Sequence, residues 1–283
     1  MTTSIETVNF RGQECLRLHG DDGAAAVVSL HGAHVLSWIP ADGVERLFLS
    51  ERAAFDGKAA IRGGVPVCFP QFSGLGDLPK HGLVRTRDWH RGADSAAPGQ
   101  VRAELEVRDD GESRALWPHA FRLRLSITLA PASLKMALEV ANTGAAGFEF
   151  TGALHTYLRV GDIAAATVSG LQGLEYRDSA SGNAIRREAA AQLVFDREVD
   201  RVYHAANQSV EVRDGARVMS VSASGFADVV VWNPWAALSA ALPDMAPDGY
   251  RNMLCIEAGA VQFPVALGAG ERWVGSQTLT RKD

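Results

Sequence analysis

The sequence predicts an all-β protein built as a large antiparallel β-sandwich. Three observations predict it: apolar and polar residues alternate with a period of two, turns rich in Gly and Pro separate the alternating runs, and helical periodicity is almost absent. Strand-like and helix-like patterns do not alternate as a parallel βαβ sheet would require. The 283 residues, 47% of them hydrophobic, suffice for a sizeable core. Neither a Pro/Gly/Ser linker nor a fixed-period repeat divides them, so residues 1–283 are expected to form a single domain.

Taken in order, Ala26 to Leu30 and His34 to Ile39 read as short strands parted by Gly32, and Arg46 to Leu49 as a third beyond the Ala41-Asp42-Gly43 turn. The next segment breaks the pattern. Arg62 to Trp89, RGGVPVCFPQFSGLGDLPKHGLVRTRDW, holds five glycines and three prolines among several cationic groups. So long a run without periodicity carries function or is disordered. Val65, Val67, Phe69, Phe72, Leu83 and Val84 make it too apolar to stay in water, so an ordered, partly buried loop is expected.

Alternation then resumes. Val101, Ala103, Leu105 and Val107 form one run, Phe121, Leu123, Leu125, Ile127 and Leu129 a second, and Leu134, Met136, Leu138 and Val140 a third. These predict three successive half-buried antiparallel strands. Further strands are expected at Ala153 to Val160, Ala165 to Gly170 and Gln192 to Phe195. Val210 and Val212 lead through Asp214-Gly215 to Val218 and Val221, a hairpin signal. Asp228 to Trp232, Asn252 to Glu257 and Arg272 to Leu279 complete the series.

Composition narrows function. With 28 basic and 33 acidic residues the net charge is −5 and the charges are dispersed, which argues against nucleic acid as a partner. A cationic loop on an acidic protein points instead to a small anionic ligand. The opening residues lack the basic start and apolar stretch of a signal peptide, and no run approaches a membrane span. A cytoplasmic protein with no membrane partner is expected, as a monomer or weak dimer. Cys15, Cys68 and Cys255 are odd in number and widely spaced, so they read as buried free thiols.

Several residues could carry chemistry. Arg62 and Arg85 bracket the irregular loop beside Gly63-Gly64 and His81-Gly82, and guanidinium groups match phosphate in bidentate geometry. The alternative is that both are surface arginines, or that they staple the loop through carboxylates. His155 shares its strand face with small and polar residues, which suits a proton donor or acceptor in a cavity as well as a satisfied structural histidine. Glu257 follows Met253, Leu254, Cys255 and Ile256, and desolvation there would raise its pKa toward that of a general base. An arginine-paired buried carboxylate is the competing reading. Trp232 and Trp235 could stack on a sugar or simply fill the core. His31 and His34 lack a third nearby ligand, so no metal is expected.

The motifs GAHVLSW, IRGGVPVCFPQF, KHGLVR, RDW, WPHAF, ALHTY, VDRVY, VWNPW and MLCIEAG occur in this order along nearly the whole chain. In this the sequence resembles the glucose-6-phosphate 1-epimerases, or hexose-6-phosphate mutarotases, a branch of the aldose 1-epimerase superfamily. The resemblance implies the galactose mutarotase-like β-sandwich and anomer interconversion of a hexose 6-phosphate without a cofactor. It implies that His155 protonates the ring oxygen and Glu257 takes the proton of the anomeric hydroxyl. It places Arg62 and Arg85 on the sugar phosphate, and Gln71, His81 and Asp200 around the sugar. Leu83 stands where the family usually has phenylalanine, and residues 236–252 lack expected lysines while keeping Asp244. Rival expectations are a mutarotase for unphosphorylated aldoses, a non-catalytic sugar-phosphate-binding protein, and a retaining glycosidase using Asp200 and Glu257.

Overall fold

The computed structural model describes residues 2–206 and 208–282. Its strands form three antiparallel sheets. Ser4–Phe10, Gln13–His19, Ala25–Ser29 and Val35–Ile39 make a four-stranded meander. A ten-stranded sheet has Gln100–Arg108, Phe121–Ala130, Ser133–Asn142, Arg272–Lys282, Arg217–Ser224 and Val210–Asp214 as consecutive neighbours. An eight-stranded sheet runs through Glu175–Asp178, Val199–Tyr203, Asp228–Asn233, Met253–Leu267 and Phe148–Leu154 to Val67–Cys68.

Alternation decides which face each strand buries. Phe121, Leu123, Leu125, Ile127 and Leu129, all at most 1% exposed, meet Leu254, Ile256 and Ala258 of the other large sheet in one apolar cluster. Each such side chain contributes roughly 1.5–3 kcal/mol on leaving water. On the opposite face of the ten-stranded sheet, Arg102 and Arg124 pair with Glu104, and Arg122 with Glu139. The large antiparallel sandwich is therefore present.

Most expected strands lie within three residues of their predicted bounds, but three differ more. Arg46 to Leu49 makes only isolated bridges, Leu47 with Leu158 and Leu49 with Gly63, because its neighbours are themselves irregular. The strand expected from Ala153 to Val160 is broken at His155 and Thr156. There the His155 N–H donates to Pro66 O at 3.0 Å, and the Thr156 N–H turns back to Leu154 O at 3.0 Å. The strand expected at Asn252 to Glu257 continues as Met253–Leu267. Two strands before residue 20 were not expected, since alternation there is diluted by Arg, Glu and Asn.

Candidate active site

Parity along Met253–Leu267 separates two environments. Leu254, Ile256 and Ala258 enter the core between the large sheets, whereas Met253, Cys255 and Glu257 face the other way. The register then lays out two rows on that second face. Val202 pairs with Val230 and Val230 with Glu257, while Asp200 pairs with Trp232 and Trp232 with Cys255. Leu154↔Ala258 and Tyr157↔Cys255 bracket His155 and Glu257, so these two stand opposite each other across neighbouring strands. Directly opposed residues lie within side-chain contact.

His155 Nδ1 lies 3.4 Å from Glu257 Oε1. Both residues are buried, at 8% and 1% exposure, and His155 Nδ1 and Glu257 Oε2 lack a hydrogen-bond partner. Burial, then the negative charge of Asp200, pushes the Glu257 carboxyl well above the usual carboxylate range. Burial, then His81, Arg62 and Arg85, pushes His155 well below the usual histidine range. Burial thus disfavours charge on both members of the pair. Tyr157 stacks on the His155 ring at 4.8 Å and 9°, and Trp232 meets it edge-on at 6.0 Å.

A cavity of about 360 Å³ opens over this pair and is lined also by Arg62, Lys80, His81, Arg177, Asp200 and Trp232. A second, about 250 Å³, is lined by Arg62, Lys80, His81, Arg85, His155, Tyr157 and Asp244. Arg62, Lys80, His81 and His155 belong to both. A larger cavity of about 610 Å³ holds none of these except the neighbouring loop; its Arg87 is paired with Asp110 and its Arg108 with Glu106. The His155–Glu257 pair, with two buried polar atoms lacking hydrogen-bond partners, lines the 360 Å³ cavity.

Arg62 is held by Asp244, through Nε at 3.1 Å, and donates from Nη1 to the Tyr157 hydroxyl at 2.9 Å. Burial opposes its charge, but Tyr157 and Asp244 outweigh burial and raise its pKa. It thus both staples a carboxylate and faces the cavities. Arg85 donates to Lys80 O at 2.7 Å and lines only the second cavity.

The loop around them is shaped by close backbone approaches. At Gly64, φ is +59° and a Cβ would lie 2.2 Å from Val35 O; at Gly82, φ is +78° and a Cβ would lie 2.1 Å from Phe69 O. The Gly63-Gly64 pair therefore admits the protein's own strands rather than a ligand. His81, at φ +66°, accepts the Ser73 N–H on Nδ1 at 3.3 Å. Its Nε2 consequently carries the hydrogen. Burial, then Arg85 and Lys80, lowers its pKa to about 3, so it is a neutral donor. Burial, then Glu198, raises Asp200 to about 6.

Not every expected residue reaches the cavity. Gln71 turns into its own loop, donating to Ser73 O and Leu78 O and accepting the Leu78 N–H, and it lines neither cavity. Leu83 lines the 610 Å³ cavity instead. Trp235 packs on Tyr250, leaving Trp232 as the indole at the site. His34 holds Gly63 O at 2.6 Å, and His31 lies 3.3 Å from both Asp88 Oδ1 and Ala59 O. Sequence reasoning missed Lys80, Tyr157 and Arg177. Lys80 and Tyr157 could have been found from their places in the cationic loop and on the His155 parity; Arg177 had no local signal.

A family model described as aldose 1-epimerase matches residues 14–280. A protein of Cenchrus ciliaris named "putative glucose-6-phosphate 1-epimerase" is 37% identical over 281 residues, covering 95% of this chain and 85% of its own. One of the same name from Escherichia coli is 37% identical over 241 residues, covering 82% and 78%. Among solved structures, a "putative mutarotase" from Salmonella typhimurium superposes with a TM-score of 0.90 at 29% identity, covering 98% and 94%. The galactose 1-epimerase from Lactobacillus acidophilus, 14% identical with a TM-score of 0.74 and covering 100% and 99%, shares the fold.

Proposed function

The chain belongs to the aldose 1-epimerase family and is a sugar epimerase of the mutarotase kind; from that premise we propose that it interconverts the α and β anomers of a hexose 6-phosphate, glucose 6-phosphate first. The observation that carries this reading is the junction of two cavities. One presents the His155–Glu257 pair, the other gathers Arg62, Lys80 and Arg85, and Arg62, Lys80, His81 and His155 line both. A phosphorylated sugar spanning them places its phosphate on the cations and its anomeric carbon at the pair.

In this reading the Glu257 carboxylate takes the proton of the anomeric hydroxyl while protonated His155 gives one to the ring oxygen. The bond from C1 to the ring oxygen breaks and leaves the open aldehyde. Rotation about C1–C2 turns the other carbonyl face to the hydroxyl. On reclosure His155 recovers its proton from that hydroxyl, and Glu257 returns one to the carbonyl oxygen. The pair carries a single proton throughout. The neutral state that burial favours is the state reached when the ring is open, so the site stabilises the arrangement around the intermediate.

His81 Nε2–H would donate to a sugar hydroxyl and Asp200 would accept from one, while Trp232 offers an apolar face. Gln71 would act from behind, by holding residues 71–78 in shape. Arg85 gives the cleanest test, since it does not touch His155. Anomer exchange followed by NMR should favour glucose 6-phosphate over glucose in kcat/KM. Arg85→Ala should raise KM for the phosphorylated sugar by about tenfold or more, with glucose little changed. An equal effect on the two sugars would remove the phosphate from the proposal.

A further inference from the structure

Cys255 has no part in the acid–base cycle, yet it sits one pleat along the same face from Glu257 and beside Tyr157, His155's stacking partner. One donor atom each from His155, Cys255 and Glu257 lies within 4.8 Å of the other two. We propose that these three residues bind a thiophilic divalent cation, of which Zn²⁺ is the type, and that the bound cation excludes the sugar.

Three observations carry this. His155 Nδ1 and Glu257 Oε2 are buried polar atoms without partners, which a cation would satisfy. The 3.4 Å between His155 Nδ1 and Glu257 Oε1 is close to the edge of about 3.3 Å made by two bonds of about 2.0–2.1 Å at a tetrahedral angle. Nitrogen, sulfur and carboxylate together suit zinc and disfavour Mg²⁺ or Ca²⁺, which take oxygen. The 360 Å³ cavity in front of His155 and Glu257 supplies both the entry path and room for a water as fourth ligand. Thiolate and carboxylate balance the two charges of the ion, the thiol proton and the proton of the His155–Glu257 pair both leaving to solvent. Asp244 already neutralises Arg62, a fixed cation on that wall.

The exclusion of sugar rests on the catalytic reading of His155 and Glu257; the binding of metal does not. The test uses the full chain after chelator treatment. Titration with Co²⁺ should produce a thiolate-to-metal absorption band, and calorimetry should show one Zn²⁺ per chain. Cys255→Ala, or the closer-sized Cys255→Ser, should lose the band and weaken Zn²⁺ binding at least about tenfold, while Cys68→Ala keeps both. In anomer exchange Zn²⁺ should raise KM and leave kcat unchanged, and Cys255→Ala should turn over normally but resist the ion. No band, or unchanged Zn²⁺ affinity in both Cys255 variants, overturns the metal site while leaving the epimerase reading intact. Cysteine-dependent binding that fails to compete with the sugar overturns the exclusion, and with it the catalytic roles of His155 and Glu257.

Discussion

Glu257 shows how much one side chain's surroundings decide. A carboxyl at 1% exposure, with Oε2 unpartnered, is costly to ionise and worth keeping only where a proton must move. Glu257→Gln and His155→Asn should each lower kcat by about 10² to 10⁴ while circular dichroism stays native. Near-normal turnover in either variant would end the assignment. Glu257→Gln carries a second signature. Because folding raises the Glu257 pKa, the wild-type fold loses stability as pH climbs above the ordinary carboxylate value, and glutamine does not ionise. The variant should therefore gain in melting temperature relative to wild type on going from pH 5 to pH 8. A constant difference would mean that the carboxyl is not desolvated.

Strands and loop divide the work of building the site. The strands were legible in sequence wherever one face is dry and the other wet, as in Phe121–Ala130 and Ser133–Asn142. Legibility failed where backbone partners are irregular, as at Arg46 to Leu49, and where a strand is broken to seat His155. The irregular loop is recognisable from composition, but that Gly64 and Gly82 make room for Val35 and Phe69 is not. Gly64→Ala should cost at least ~1–3 kcal/mol in urea unfolding, since a left-handed backbone is compounded by contact with Val35 O. Gly43→Ala, at φ +75° with nothing within 4 Å, isolates the backbone part and should cost less. Equal losses would show that the close approach relaxes freely.

At the scale of the whole molecule, buried histidines make the fold acid-sensitive. His34, 1% exposed, is depressed to about 4 by burial, and His81, 7% exposed, to about 3. Unfolded histidines take protons from about pH 6.5 downward, whereas these do not until pH 4 or 3. Their contribution is complete above pH 6.5 and is lost as pH falls through that window, at ~1.4 kcal/mol per pH unit for each. Glu257 and Asp200, both raised, act with the opposite sign. The comparison therefore belongs to a variant: His34→Gln, which keeps a donor for Gly63 O, should flatten the fall in urea midpoint between pH 6.5 and 4.5. An unchanged slope would rule out His34 as a source. By itself the sequence determined the sandwich, the parity of its principal strands and the chemical kinds of residue available, because alternation and turn chemistry are local. Only the tertiary structure decided that His155 faces Glu257, that Asp244 holds Arg62 from 182 residues away, and that Gln71 turns inward. Cross-strand register and loop closure are set by packing between distant segments, which no local pattern encodes.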